Sequence, residues 1–137
     1  MLKKAISVFF ILLLFGCSND KTFKQIEQKS EVGKLHSFNL VATDKKLLSL
    51  AKEAAKEADI TISSSPYTIV VESSKYPQHC NNPLTPAYEA TYDGYVKITL
   101  KKAFKEIYFI QRDFHDDVTE GIIEDLLEIM KKDMKIK

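Results

Sequence analysis

Apolar positions fall into two regimes along this chain. Residues 5–15 form an unbroken apolar run carrying one hydroxyl, Ser7. From about residue 34 onward, apolar residues recur at strand or helix spacing. Residues 35–42 alternate in part, with Phe38, Leu40 and Ala42 on one side, which predicts a strand. Asp44 fits a helix N-cap, and Leu47, Leu48, Ala51, Ala54, Ala55 and Ala58 then recur at helical spacing, so a helix is predicted to end near Asp59. Residues 60–62 extend, and residues 63–66 (Ser-Ser-Ser-Pro) form a loop. Residues 67–71 are apolar and β-branched, a second strand. Residues 73–86 hold three prolines and two asparagines and read as a long loop. Residues 88–100 are rich in Tyr, Val, Ile and Thr. Val96, Ile98 and Leu100 face one way there, and Tyr95, Lys97, Thr99 and Lys101 the other, as in a half-buried strand. Asp93-Gly94 fits either a hairpin turn or a bulge. Residues 101–105 turn, and residues 106–112 form another strand. Asp117 with Glu120 fits a capping box before a final helix. Val118, Ile122, Leu126 and Ile129 run along one flank of that helix, beside Ile123, Leu127 and Met130. Its acids come first and its lysines last, complementing the helix dipole. The predicted order is β-α-β-β-β-α. Two helices that each need an apolar surface predict an α/β two-layer sandwich, with both on one face of a mixed or mostly antiparallel sheet.

The apolar run at the start belongs to a different kind of segment. Lys3 and Lys4 precede it, and eleven residues fall short of the roughly 20 that span a bilayer. They suit the h-region of a signal peptide. A buried helix with a chance Cys leaves the order of these features unexplained. The following Leu14-Phe15-Gly16-Cys17 resembles the lipobox of bacterial lipoprotein precursors. The resemblance implies cleavage before Cys17 and palmitate-type acyl chains on that residue, which becomes the new N-terminus. Ser18 resembles the outer-membrane sorting signal. The domain organisation is then a signal peptide over 1–16, a lipidated N-terminus and polar tether over 17–33, and one sandwich domain over 34–137.

Charge changes the picture by exclusion. Of 137 residues, 20 are basic and 19 acidic, a net charge of +1, and loss of Lys3 and Lys4 leaves −1. Nucleic-acid binding of a general kind needs a basic excess, so no nucleic-acid partner is expected. With Cys17 taken by lipid, Cys80 has no partner within the chain: it is a free thiol or bonds another protein. No phosphate loop, G-x-S-x-G elbow or H-E-x-x-H is present, so no enzyme, cofactor or metal is expected. The densest polar cluster is Arg112-Asp113-Phe114-His115-Asp116-Asp117. It reads as a strand end and helix cap more readily than as an acid–base or metal site. His79-Cys80, without a second spaced pair, is a weak ligand signal. All six tyrosines lie between positions 67 and 108, where strand composition explains them as well as an interface does. Lys97, Lys101, Lys102 and Lys105, with Tyr95, are the candidate lipid- or partner-binding residues. Lys97 and Lys101 are expected to be exposed; the alternative for the strip is a solvated strand face.

Taken in order, the domain resembles the LPS-assembly lipoprotein family, LptE-like. The resemblance rests on Ala87-Tyr88-Glu89, Arg112-Asp113-Phe114 and Met130-Lys131-Lys132-Asp133. It implies a β-α-β-β-β-α sandwich held by its lipid at the outer membrane, facing the periplasm or the inside of a barrel. The partner would be an LptD-type outer-membrane β-barrel, and the cargo lipopolysaccharide. In that family the first strand begins soon after the Cys, whereas here the pattern predicts a polar tether. The competing reading is a periplasmic lipoprotein adaptor that regulates a cell-wall synthase or a secretion apparatus.

Overall fold

The computed structural model describes residues 22–76 and 92–137. Among the described residues, five strands form one sheet: β1 (Thr22–Ile26), β2 (Asn39–Ala42), β3 (Tyr67–Lys75), β4 (Gly94–Lys102) and β5 (Lys105–Phe114). Two helices, α1 (Lys45–Glu57) and α2 (Glu120–Asp133), pack on each other and on this sheet. The strand order is β1-β5-β4-β3-β2. β2 and β3 run parallel, joined through α1, and the other neighbours are antiparallel. The fold is therefore the two-layer α/β sandwich with a mixed sheet.

Strand alternation builds the core. Ile69, Val71, Val96, Ile98, Leu100 and Ile110 point toward the helices and are buried. They meet Ala51, Ala54 and Ala55 of α1, and Ile123, Leu126, Leu127 and Met130 of α2. Each large side chain so buried contributes about 1.5–3 kcal/mol. Asp44 caps α1 as its spacing predicts, accepting from the Leu47 amide at 2.8 Å. Both helices then stop in the same way without glycine. Asp59 and Lys135 take left-handed φ values of 55° and 50°. Their amides bond back to Lys56 and Lys132, and those of Ile60 and Ile136 to Ala55 and Lys131. This is the Schellman pattern, and its usual apolar closure is supplied by the buried Ile60 and Ile136.

Four sequence expectations need correction. Residues 22–26 are not tether but an edge strand, so the domain starts by Thr22 and not at residue 34, and the order is β-β-α-β-β-β-α. Their signal is tertiary: Thr22 pairs with Arg112 and Ile26 with Tyr108. Phe23 is left 59% exposed on the helix-free face, so no buried stripe marks the strand locally. Second, β3 runs on to Lys75, past the loop start expected at residue 73, because β4 pairs with it along its whole length. Residues 77–91, which hold the remainder of that predicted loop with His79 and Cys80 and also Ala87-Tyr88-Glu89, lie outside the described residues. So does Cys17. Third, Asp93-Gly94 is a strand entrance and not a hairpin tip: Gly94 lies between Lys75 and Phe114. The irregularity falls instead between Leu100 and Lys101, where Ile107 is the extra residue on β5. This bulge is why the consecutive Ile107 and Tyr108 are both buried. Fourth, α2 is capped by Thr119, whose hydroxyl accepts from the Ile122 amide at 3.3 Å, and not by Asp117. A start at Thr119 places Val118 and Ile123 at hydrophobic-staple positions, and both join the core.

Candidate functional site

The helix-free face of the sheet and the β4–β5 hairpin carry the lysines singled out by sequence. Alternation along β4 puts Tyr95, Lys97 and Thr99 on this open face. Lys97 is half-buried, flanked across the strands by Glu72 and Gln111. Its ammonium lies 5.1 Å from the centre of the Phe109 ring. Lys101 is half-buried as well, opposite Thr68 on β3 and Glu106 on β5. Neither lysine is fully exposed as expected, and neither is buried. Lys97 is covered in part by the Phe109 ring, and both lysines by the strands on either side of β4.

Lys102 and Lys105 flank the turn and are exposed. Lys102 is already engaged, pairing with Glu31 at 3.2 Å and lying 5.6 Å from the Tyr67 ring centre. The Tyr67 hydroxyl donates to the same carboxylate at 2.8 Å. These two donors hold Glu31 below the usual carboxylate range, the Tyr67 bond acting most. In return Glu31 raises the Tyr67 phenol and the Lys102 ammonium above their ordinary values. Sequence reading missed Glu31, which lies 71 residues from Lys102 with no local pattern linking them.

The five candidates do not converge. Tyr95 lies six residues before Lys101, about 20 Å along an extended strand. Tyr95 belongs instead to the opposite end, where its ring lies 5.9 Å from that of Tyr76. The Tyr76 hydroxyl donates to Asp113, and its pKa is pushed up to about 12, chiefly by burial and then by that carboxylate.

The polar cluster 112–117 gathers at this same end, in separate pairs. Arg112 donates to the Thr22 hydroxyl at 3.0 Å and pairs with Asp125 of α2 at 3.4 Å. His115 is exposed and stacks on Tyr92 with ring centres 4.7 Å apart. Asp116 takes a left-handed φ of 64° and donates its amide to the Asp93 carboxylate. Asp117 pairs with Lys46 at 3.5 Å, and that lysine holds its carboxyl below the usual range. The cluster thus ties β1, β5 and the two helix starts together. Among the described residues no group of three or more His, Cys, Asp and Glu side chains is placed to hold a metal ion.

A shallow basic depression lies on the helix layer, lined by Ala58, Glu128, Lys131, Lys132, Lys135 and Ile136. Lys131 bridges the two helices there, donating to the carbonyls of Ala58 and Asp59 at 3.1 and 3.2 Å. Among the described residues, no helix is long and apolar enough to cross a membrane.

No protein-family model matches the chain. No curated protein matches it either. Among solved structures, the chain is similar to a minor lipoprotein from Acinetobacter baumannii. The identity is 12%, over 72% of this chain and 88% of that one, with a TM-score of 0.31.

Proposed function

We propose that this chain is a lipid-anchored outer-membrane lipoprotein that acts by binding and not by catalysis, as partner of an LptD-type β-barrel in lipopolysaccharide assembly. The observation that carries the reading is the N-terminal order: Lys3-Lys4, the apolar run over 5–15, then Leu14-Phe15-Gly16-Cys17. Each part has a place in a lipoprotein precursor. The sandwich is of the class the resemblance implies, and β1 is an edge strand additional to the β-α-β-β-β-α order. The binding reading is supported by the polar residues of 112–117, whose contacts to Thr22, Asp125, Tyr76, Tyr92 and Lys46 are structural. A lipid on Cys17 holds the domain beside a membrane partner and raises its effective concentration there.

The test is an affinity pull-down of the lipidated protein from detergent-solubilised outer membranes, with the eluate identified by mass spectrometry. An LptD-type barrel at one-to-one stoichiometry is the expected result. A cell-wall synthase or secretion component in its place overturns the barrel assignment and gives the protein to the adaptor class.

A further inference from the structure

The β4–β5 hairpin ends in a two-residue turn, Ala103-Phe104, between Lys102 and Lys105. Ala103 sits at a φ of 54°, the left-handed region, where Gly, Asn or Asp is the usual occupant. Phe104 beside it is 100% exposed. Phe104 packs on nothing in the described fold. A fully exposed ring at a turn is a departure from local rules of the kind found at functional positions.

The surroundings of the tip are basic. Lys101, Lys102 and Lys105 flank it, and Lys34 lies close enough to act on Glu31 electrostatically. The acids that face this group are Glu31, engaged by Lys102, and Glu106, opposite Lys101. The adjoining loop is uncharged: Ser63, Ser64, Ser65 and Pro66, with the Pro66 carbonyl accepting from the Ala103 amide at 3.3 Å. Ile62, just before it, is 39% exposed.

We propose that this hairpin tip is a membrane-surface contact, in which Phe104 enters the interfacial layer of an anionic bilayer while Lys101 and Lys105 meet lipid phosphates. An aromatic ring set among lysines matches that layer, apolar below and anionic above. The contact stands whether or not Cys17 is lipidated, since it rests on the hairpin alone. Where Cys17 is lipidated, the geometry adds an orientation. Thr22 pairs with Arg112, at the far end of the sheet from the tip. Anchor and tip then reach one bilayer with the strands lying along its surface.

The chain contains no Trp, so Phe104→Trp in the full chain places a single indole at the tip. The variant is mixed with vesicles of phosphatidylcholine alone, and with vesicles that also contain phosphatidylglycerol. The expected result is a blue-shifted emission, quenched by bromine on the acyl chains, with the anionic vesicles only. Raised salt reverses it. Adding Lys101→Glu and Lys105→Glu weakens the tip contact by more than about tenfold. Because the readout is local, a lipid on Cys17 does not by itself produce it. Emission that stays solvent-like with both vesicles overturns the proposal, and so does an equal shift with both. A shift that grows with protein concentration in the absence of vesicles also overturns it, and assigns the tip to a second copy of the chain.

Discussion

Gly94→Ala is expected to destabilise the fold by about 3 kcal/mol, at the upper end of what overpacking costs. Gly94 is buried at the entrance of β4, with Lys75 opposite on β3 and Phe114 on β5. A Cβ there collides with the Ser74 carbonyl oxygen, and lies 2.6 Å from Phe114 Cζ and 3.0 Å from Lys75 Cα. The first and last of these are backbone atoms of a paired strand. They move only if the β3–β4 ladder moves, and the Phe114 ring has no free space, being 3% exposed. The requirement is for closeness and not for backbone freedom. Gly121 provides the contrast. Its added Cβ meets only the Thr119 hydroxyl oxygen, at an ordinary 3.9 Å. Gly121→Ala lies in the first turn of α2 and is expected to stabilise by about 0.5 kcal/mol through helix propensity. Urea unfolding of the two variants checks both signs. Equal effects would mean that Ser74, Lys75 and Phe114 give way to an added Cβ at no cost.

Asp133→Ala is the second large effect, expected to cost about 2–3 kcal/mol. Tyr108 is fully buried, and its hydroxyl donates to Asp133 Oδ2 at 2.8 Å. Lys24 of β1 approaches the same oxygen to 2.9 Å. One carboxylate at the end of α2 thereby holds both β5 and β1. Burial, and then the neighbouring carboxylate, raise the Tyr108 phenol well above its ordinary value, so it remains a donor throughout the pH range in which the protein is handled. Removing the acid strands a buried hydroxyl. Removing the hydroxyl leaves an acid that is 20% exposed and still paired with Lys24. Tyr108→Phe should therefore cost less, about 1–1.5 kcal/mol, and the double variant less than the sum of the two. Urea midpoints for the two single variants and the double one measure this. A Tyr108→Phe cost above that of Asp133→Ala would contradict the stated asymmetry.

Local signals carried much of this fold and failed where partners are distant. α1 was legible from its alanine stripe and from Asp44, three residues before the amide it caps. The two faces of β4 were legible because alternation is a property of neighbours. β1 was not, since its evidence is a register with β5 some 90 residues away, and its open face is polar apart from Phe23. The cap of α2 was misplaced by two residues. Asp117 and Thr119 are both competent caps, and the packing of Val118 and Ile123 decides between them. The candidate lysines were legible as a strip, but Glu31, which engages Lys102, was not. Phe104 was overlooked although residues 101–105 were read as a turn, because spacing alone does not show that its ring packs on nothing.

The central claim, lipid anchoring at Cys17, is tested most directly by metabolic labelling with radioactive palmitate in bacteria expressing the wild-type chain or Cys17→Ala. The account predicts a labelled wild-type protein shortened by residues 1–16, and an unlabelled Cys17→Ala protein. Label that persists in Cys17→Ala, or a wild-type chain that stays full-length and unlabelled, would contradict it.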